Sequence, residues 1–176
     1  MNNKQTVFVI DDDEGVRDGL SLLLDTVEQH YELFESALDF LDSYDKRRRG
    51  CLVLDIRMPR MTGLDLQKKL NEMGSTLPII FITGHGDIPL AVSAIKQGAF
   101  DFLTKPFGEG ELLSKVQAAI DHCRAQQERR RELQELQSRV DGCTPREQDV
   151  MRLLADGLFS ERGVFAPEHL GALPAC

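Results

Sequence analysis

The chain has 176 residues, 41% hydrophobic and 28% charged, with a formal net charge of −8. That is enough for one well-packed domain plus an appendage, in the composition range of soluble globular proteins. It excludes a membrane span, since no run nears the roughly 18 apolar residues required, and it argues against a chain devoted throughout to nucleic acid. The amino terminus, MNNKQTVFVIDDD, lacks a signal-peptide core. Cys51, Cys123, Cys143 and Cys176 are scattered, with no CxxC and no His cluster. They are expected to be reduced thiols of a cytoplasmic protein, neither a disulfide framework nor a zinc site.

Thr6 to Ile10 reads as a buried strand that ends in Asp11-Asp12-Asp13. A helix follows, with Val16, Leu20, Leu23, Leu24 and Val27 at helical spacing. Tyr31 to Glu35 is a short, partly exposed strand, and Ser36 caps a helix carrying Leu38, Phe40 and Leu41. The basic run Lys46-Arg47-Arg48-Arg49 is expected to be a solvated loop. Cys51 to Leu54 is a strand of the kind buried on both faces, and it stops at Asp55. Thr62 with Asp65 three residues on forms the acid version of a capping box, and the helix carries Leu64, Leu66 and Leu70 before Gly74. Leu77 to Ile82 is the next buried strand, ending at Thr83-Gly84-His85-Gly86. Pro89 opens a helix with Ala91, Val92 and Ile95, closed by Gly98. Phe100 to Leu103 is the last strand, ending at Thr104-Lys105-Pro106. A helix from Glu111 carries Leu112, Val116, Ala119, Ile120 and Cys123.

Strands alternating with helices imply a parallel α/β sheet covered on both faces. Right-handed crossovers place the ends of the first, third, fourth and fifth strands on one edge, so Asp11, Asp12, Asp55, Thr83 and Lys105 converge. A strand-end Asp alone most often caps a loop; five polar strand-end residues together point to chemistry. Carboxylates this close repel unless a cation joins them, and all-oxygen ligation with few carboxylates suits Mg²⁺. A hydroxyl and an ammonium facing that cation are what a transferred phosphoryl group needs, with Asp55 as nucleophile.

The segments VFVIDDDEGVR, LVLDIRMPRMTGLDL, IIFITGHGD and AFDFLTKPF resemble the receiver domain of two-component response regulators, in particular the FixJ branch, over roughly residues 5 to 125. The resemblance implies a flavodoxin-like doubly wound five-stranded sheet in the order 2-1-3-4-5, with its site at the switch point. It implies Asp55 as phosphoacceptor and Mg²⁺ held by Asp12, by Asp55, by the backbone carbonyl of Arg57 and, through water, by Asp11. Asp13 becomes a bystander, Thr83 the switching hydroxyl and Lys105 the counter-ion of the phosphoryl group. Phe102 matches the aromatic that changes rotamer with Thr83, though a lone strand aromatic is more often plain core. Lys105-Pro106 is where the family has a cis peptide. His85 reads as a non-catalytic loop residue.

From Gln126 to Glu132 (QQERRRE) no apolar face remains, as in a solvent-exposed bridge, with Arg129-Arg130-Arg131 a solvated helix face. Leu133, Leu136 and Val140 restore helical spacing. Thr144-Pro145-Arg146-Glu147 is a helix start, followed by Val150, Leu153, Leu154 and Leu158. CTPREQDVMRLLADGL resembles the opening of the LuxR-type helix-turn-helix domain, with Cys143 where that family usually has Leu. After Ser160 the pattern fails, and the tail is expected to be truncated or read in another frame. The expected organisation is a receiver over residues 1–124, a helical linker over 125–141 and a partial DNA-binding domain over 142–176.

The leading expectation is a response regulator phosphorylated by a sensor histidine kinase, dimerising on phosphorylation and controlling transcription. DNA binding is expected to be weak in this chain, which lacks a recognition helix. The second reading is a stand-alone receiver acting as a phosphate sink or protein-binding switch. The third, an aspartyl-phosphate phosphatase, wants an acid two residues after the nucleophile, where Arg57 stands; an enzyme is therefore not expected.

Overall fold

The chain builds five parallel strands, β1 (Thr6–Ile10), β2 (Tyr31–Phe34), β3 (Gly50–Asp55), β4 (Ile79–Thr83) and β5 (Asp101–Thr104), in the order β2-β1-β3-β4-β5. The computed structural model describes residues 5–84, 88–144 and 146–150. Five helices follow the strands in turn: α1 (Glu14–Thr26), α2 (Ala37–Asp42), α3 (Gly63–Glu72), α4 (Ile88–Lys96) and α5 (Glu109–Asp141). Contacts divide the chain into two compact units, with the division between Glu128 and Arg129.

The two-residue period of the strands sorts the core into two clusters. Val7, Val9, Cys51, Val53, Ile80, Ile82 and Leu103 face Leu20 and Leu24 of α1 and Leu112, Val116, Ala119 and Ile120 of α5. Phe8, Ile10, Leu52, Leu54, Ile79 and Phe81 face α2, α3 and α4, through Phe40, Leu66, Leu70, Ala91 and Ala94. Near-continuous apolar strands are the signature of a sheet covered on both sides. Gly50 enters β3 at φ +133°, and a Cβ there would lie 1.8 Å from the Thr6 carbonyl oxygen, so only glycine lets β3 run this close to β1.

The elements expected from sequence are present, with instructive shifts. The strand expected from Leu77 begins at Ile79 instead; Pro78 lacks an N–H, and only its carbonyl joins the sheet, accepting from the Leu52 N–H at 2.9 Å. On α4 the buried residues are Ala91 and Ala94, while Val92 and Ile95 are 44% and 38% exposed. Small residues let α4 sit close to the sheet and turn its larger ones outward. Arg48 is not simply solvated: it pairs with Glu32 at 2.6 Å and lies 5.0 Å over the Phe8 ring. The Ser36 cap and the Thr62–Asp65 capping box form as expected. No described helix is long and apolar enough to cross a membrane.

In the second unit, Leu133 and Leu136 are 65% and 53% exposed, and Arg131 pairs with Glu135 one helical turn on. Residues 146–150 are helical, and Glu147 accepts from the Thr144 N–H at 2.8 Å and hydroxyl at 2.6 Å, which holds its carboxyl below the usual range. The remaining features expected of the tail, Pro145 and everything from Leu153 onward, lie outside the described residues.

Candidate functional site

Strand register assembles the site. Ile10 pairs with Leu54, Asp55 with Ile82, and Thr83 with Thr104, so Asp11, Asp55, Thr83 and Lys105 sit at or one residue beyond neighbouring strand ends. Asp11 and Asp55 are 1% and 8% exposed. The Lys105 ammonium bridges them, donating to Asp11 Oδ2 and Asp55 Oδ1 at 3.0 Å each. The Lys105–Pro106 peptide is cis, and the Lys105 N–H donates to the Thr83 carbonyl at 2.7 Å.

The other Asp55 oxygen accepts from the Arg57 N–H at 2.7 Å. Burial pushes the Asp55 carboxyl above its ordinary value, outweighing the hydrogen bond and attraction of Lys105. At Lys105, burial alone would depress the ammonium, but the bonds to Asp55 and Asp11 win and raise it. The result is a pair of buried carboxylates sharing one cation, a less costly arrangement than two buried carboxylates without one.

Thr83 is 1% exposed, and its buried hydroxyl has no hydrogen-bond partner among the described residues. A buried hydroxyl left unpaired costs about 1–3 kcal/mol. Asp12 is exposed, and its carboxylate takes no bond from any described residue. Phe102 is half-buried against the cluster that includes Ala91 and Ala94, consistent with its plain-core reading. His85 lies outside the described residues.

The site thus brings together Asp11, Asp55 and Lys105, with Thr83 beside them, and leaves Asp12 facing solvent. No group of three or more His, Cys, Asp or Glu among the described residues forms a closed metal cage. The hard oxygen donors of Asp11, Asp12 and Asp55 fit in kind a cation that keeps most of its waters, as Mg²⁺ does.

Asp13, expected to stand aside from the chemistry, is the N-cap of α1, accepting from the Gly15 and Val16 N–H groups at 2.8 and 3.3 Å; the Asp-Glu-Gly-Val spacing carries that signal. Two further supporting residues were not singled out from sequence. Arg17 donates from Nη1 to the Asp11 carbonyl at 2.8 Å. Gly63 allows α3 to start against the sheet, since a Cβ there would lie 2.3 Å from the Asp55 carbonyl oxygen. Nothing in local sequence marks that last approach.

Comparison with known proteins agrees with this geometry. Residues 7–117 match the response regulator receiver domain. The response regulator protein TodT of Pseudomonas putida is 43% identical over 156 residues, covering 89% of this chain and 69% of TodT. The transcriptional regulatory protein FixJ of Bradyrhizobium diazoefficiens is 41% identical over 161 residues, covering 92% of this chain and 78% of FixJ. Among solved structures, the response regulator StyR superposes with a TM-score of 0.77 at 43% identity, covering 89% of this chain and 79% of StyR. Full-length FixJ from B. japonicum gives 0.68 at 41% identity, covering 89% of this chain and 77% of that one. With its five-stranded sheet in the order 2-1-3-4-5 and its acidic edge closed by a lysine, this chain belongs to the response regulator receiver family, among relatives that are transcription regulators and longer than the stretch they share with it.

Proposed function

We propose that Asp55 is the phosphoacceptor of a two-component system, phosphorylated by a sensor histidine kinase. The observation that carries this is Asp55 buried at the sheet edge with Lys105 at 3.0 Å and the unpaired Thr83 hydroxyl on the next strand. An Asp55 carboxylate oxygen attacks phosphorus, the P–N bond of the kinase phosphohistidine breaks, and the leaving imidazole takes up a proton. Lys105 is placed to balance charge on the phosphoryl oxygens, and Thr83 gains the partner that it lacks. Asp12, Asp55 and the Arg57 carbonyl, with Asp11 acting through water, would hold Mg²⁺, which would supply further charge neutralisation.

The chain is divided into a receiver over 1–124, a helical linker over 125–141 and part of a LuxR-type DNA-binding domain over 142–176, and it works in the cytoplasm as a regulator rather than a phosphatase. The phosphorylated form is expected to pair through α4 and β5; the outward Leu90, Val92 and Ile95, 38%, 44% and 38% exposed, support that face.

The test is intact mass after treatment with acetyl phosphate and Mg²⁺. The parent chain gains one phosphoryl group and Asp55→Asn gains none. Undiminished labelling of Asp55→Asn sinks the assignment.

A further inference from the structure

We infer that Arg17 is a positioning residue for Asp12: its guanidinium fixes the peptide that joins Asp11 to Asp12. The inference rests on the proposal that Asp12 ligates a divalent cation.

β1 ends at Ile10, and the Asp11 N–H still reaches the sheet, donating to the Phe34 carbonyl at 3.3 Å. The Asp11 carbonyl accepts instead from Arg17 Nη1, at 2.8 Å across the first turn of α1. That carbonyl belongs to the Asp11–Asp12 peptide, whose planarity ties its direction to the path of the chain into Asp12. The flanking atoms are held as well. Asp11 accepts from the Asp13 N–H at 2.9 Å and from Lys105 at 3.0 Å. Asp13 caps α1, and its carbonyl accepts from the Arg17 N–H at 3.1 Å. Asp12, exposed and bonded to no described side chain, has only its backbone to aim it. Two described side chains act on that backbone: the Asp11 carboxylate on the peptide after Asp12, and Arg17 on the peptide before it.

Two physical effects of removing Arg17 have opposite signs, which makes the idea decidable. A guanidinium near the site repels a divalent cation, so electrostatics alone predicts tighter Mg²⁺ binding without it. Loss of positioning predicts weaker binding, because residues that orient metal ligands are commonly worth ten-fold or more in affinity.

The measurement is calorimetric titration of the full chain with Mg²⁺ alone, alongside thermal unfolding without metal. Arg17→Met, which keeps the aliphatic stem, is expected to bind Mg²⁺ about ten-fold more weakly. Arg17→Lys, which retains a charged donor, should recover part of that loss. Phosphorylation by acetyl phosphate should need more Mg²⁺ in Arg17→Met yet reach the parent's limiting rate, a split that mere loss of stability would not produce. Parent-like or tighter Mg²⁺ binding by a folded Arg17→Met overturns the inference. Should Arg17→Met fail to fold, Arg17→Gln, whose shorter amide cannot span to Asp11, is read in the same way: weaker binding supports the role and parent-like binding overturns it. Asp12→Ala separates the two levels. If it loses Mg²⁺ while Arg17→Met does not, only the role of Arg17 fails; if the parent binds no Mg²⁺, both readings fail.

Discussion

The carboxyl edge of the sheet and the helical segment after Arg129 both invert the usual partition of polar and apolar groups, in opposite senses. At the sheet edge Asp11 and Asp55 are 1% and 8% exposed; in the helix Leu133 and Leu136 are 65% and 53% exposed. Burying a carboxylate is costly unless it is paired, so the edge is specified atom by atom: Lys105 bridges both acids, Arg57 and Asp13 donate backbone N–H groups, and Gly63 clears space. Exposing a leucine costs little, and one exposed leucine needs no explanation. The helix there is held by pairs such as Arg131–Glu135, which contribute a few tenths of a kcal/mol. Tight specification marks where the chemistry is.

The largest expected effect tests how little the edge can give. Gly63→Ala forces a Cβ to within 2.3 Å of the Asp55 carbonyl oxygen, and overpacking against backbone costs roughly 3 kcal/mol. Urea unfolding should show that loss, together with impaired phosphorylation; a change under about 0.5 kcal/mol, the surface norm, would mean that the edge yields like surface.

A smaller effect is expected from Lys105→Met, which leaves Asp11 and Asp55 without their cation. Lys105 is itself 32% exposed on its side chain, so screening limits the loss to about 1–2 kcal/mol near pH 7. The sign with pH follows from the Asp55 shift. Burial raises that carboxyl, so the folded state binds the proton more tightly than the unfolded one, and stability falls as pH rises from about 4 upward. Without Lys105 that fall steepens and extends to higher pH, so the gap between variant and parent should be small near pH 4 and full near pH 7. The raised Lys105 ammonium places the other limit: its contribution is complete below its ordinary value of 10.5 and is lost as pH climbs through its folded value. A gap that does not vary with pH would show that Lys105 acts through packing.

The smallest effect is expected at the exposed leucines. Leu133→Ala and Leu136→Ala should each change unfolding free energy by less than about 0.5 kcal/mol, as surface substitutions do. A larger loss would show that they are covered in solution and would blur the contrast between the two regions.

How much of this was legible beforehand differs by residue. Asp11, Asp55 and Lys105 could be found because each follows an apolar run, and parallel strands joined by right-handed crossovers end on one edge. The core of α5 was readable from its spacing: Leu112, Val116, Ala119, Ile120 and Cys123 are all buried. On α4 the spacing picked out Ala91, Val92 and Ile95; Ala91 sits inside together with Ala94, which was not named, while the more hydrophobic Val92 and Ile95 turn outward. Arg48 was misread because its ring contact and its partner Glu32 come from β1 and β2, far away in sequence.

Sequence by itself determined the order of elements, the capping box at Thr62, the helix start at Thr144 and the identity of the acids, since these depend on interactions within a few residues. Only tertiary structure decided that one ammonium spans two buried carboxylates 94 and 50 residues away, that the Thr83 hydroxyl is buried without a partner among the described residues, and that Gly63 must be glycine. Those outcomes depend on distances between strand ends, and such distances exist only once the sheet has formed.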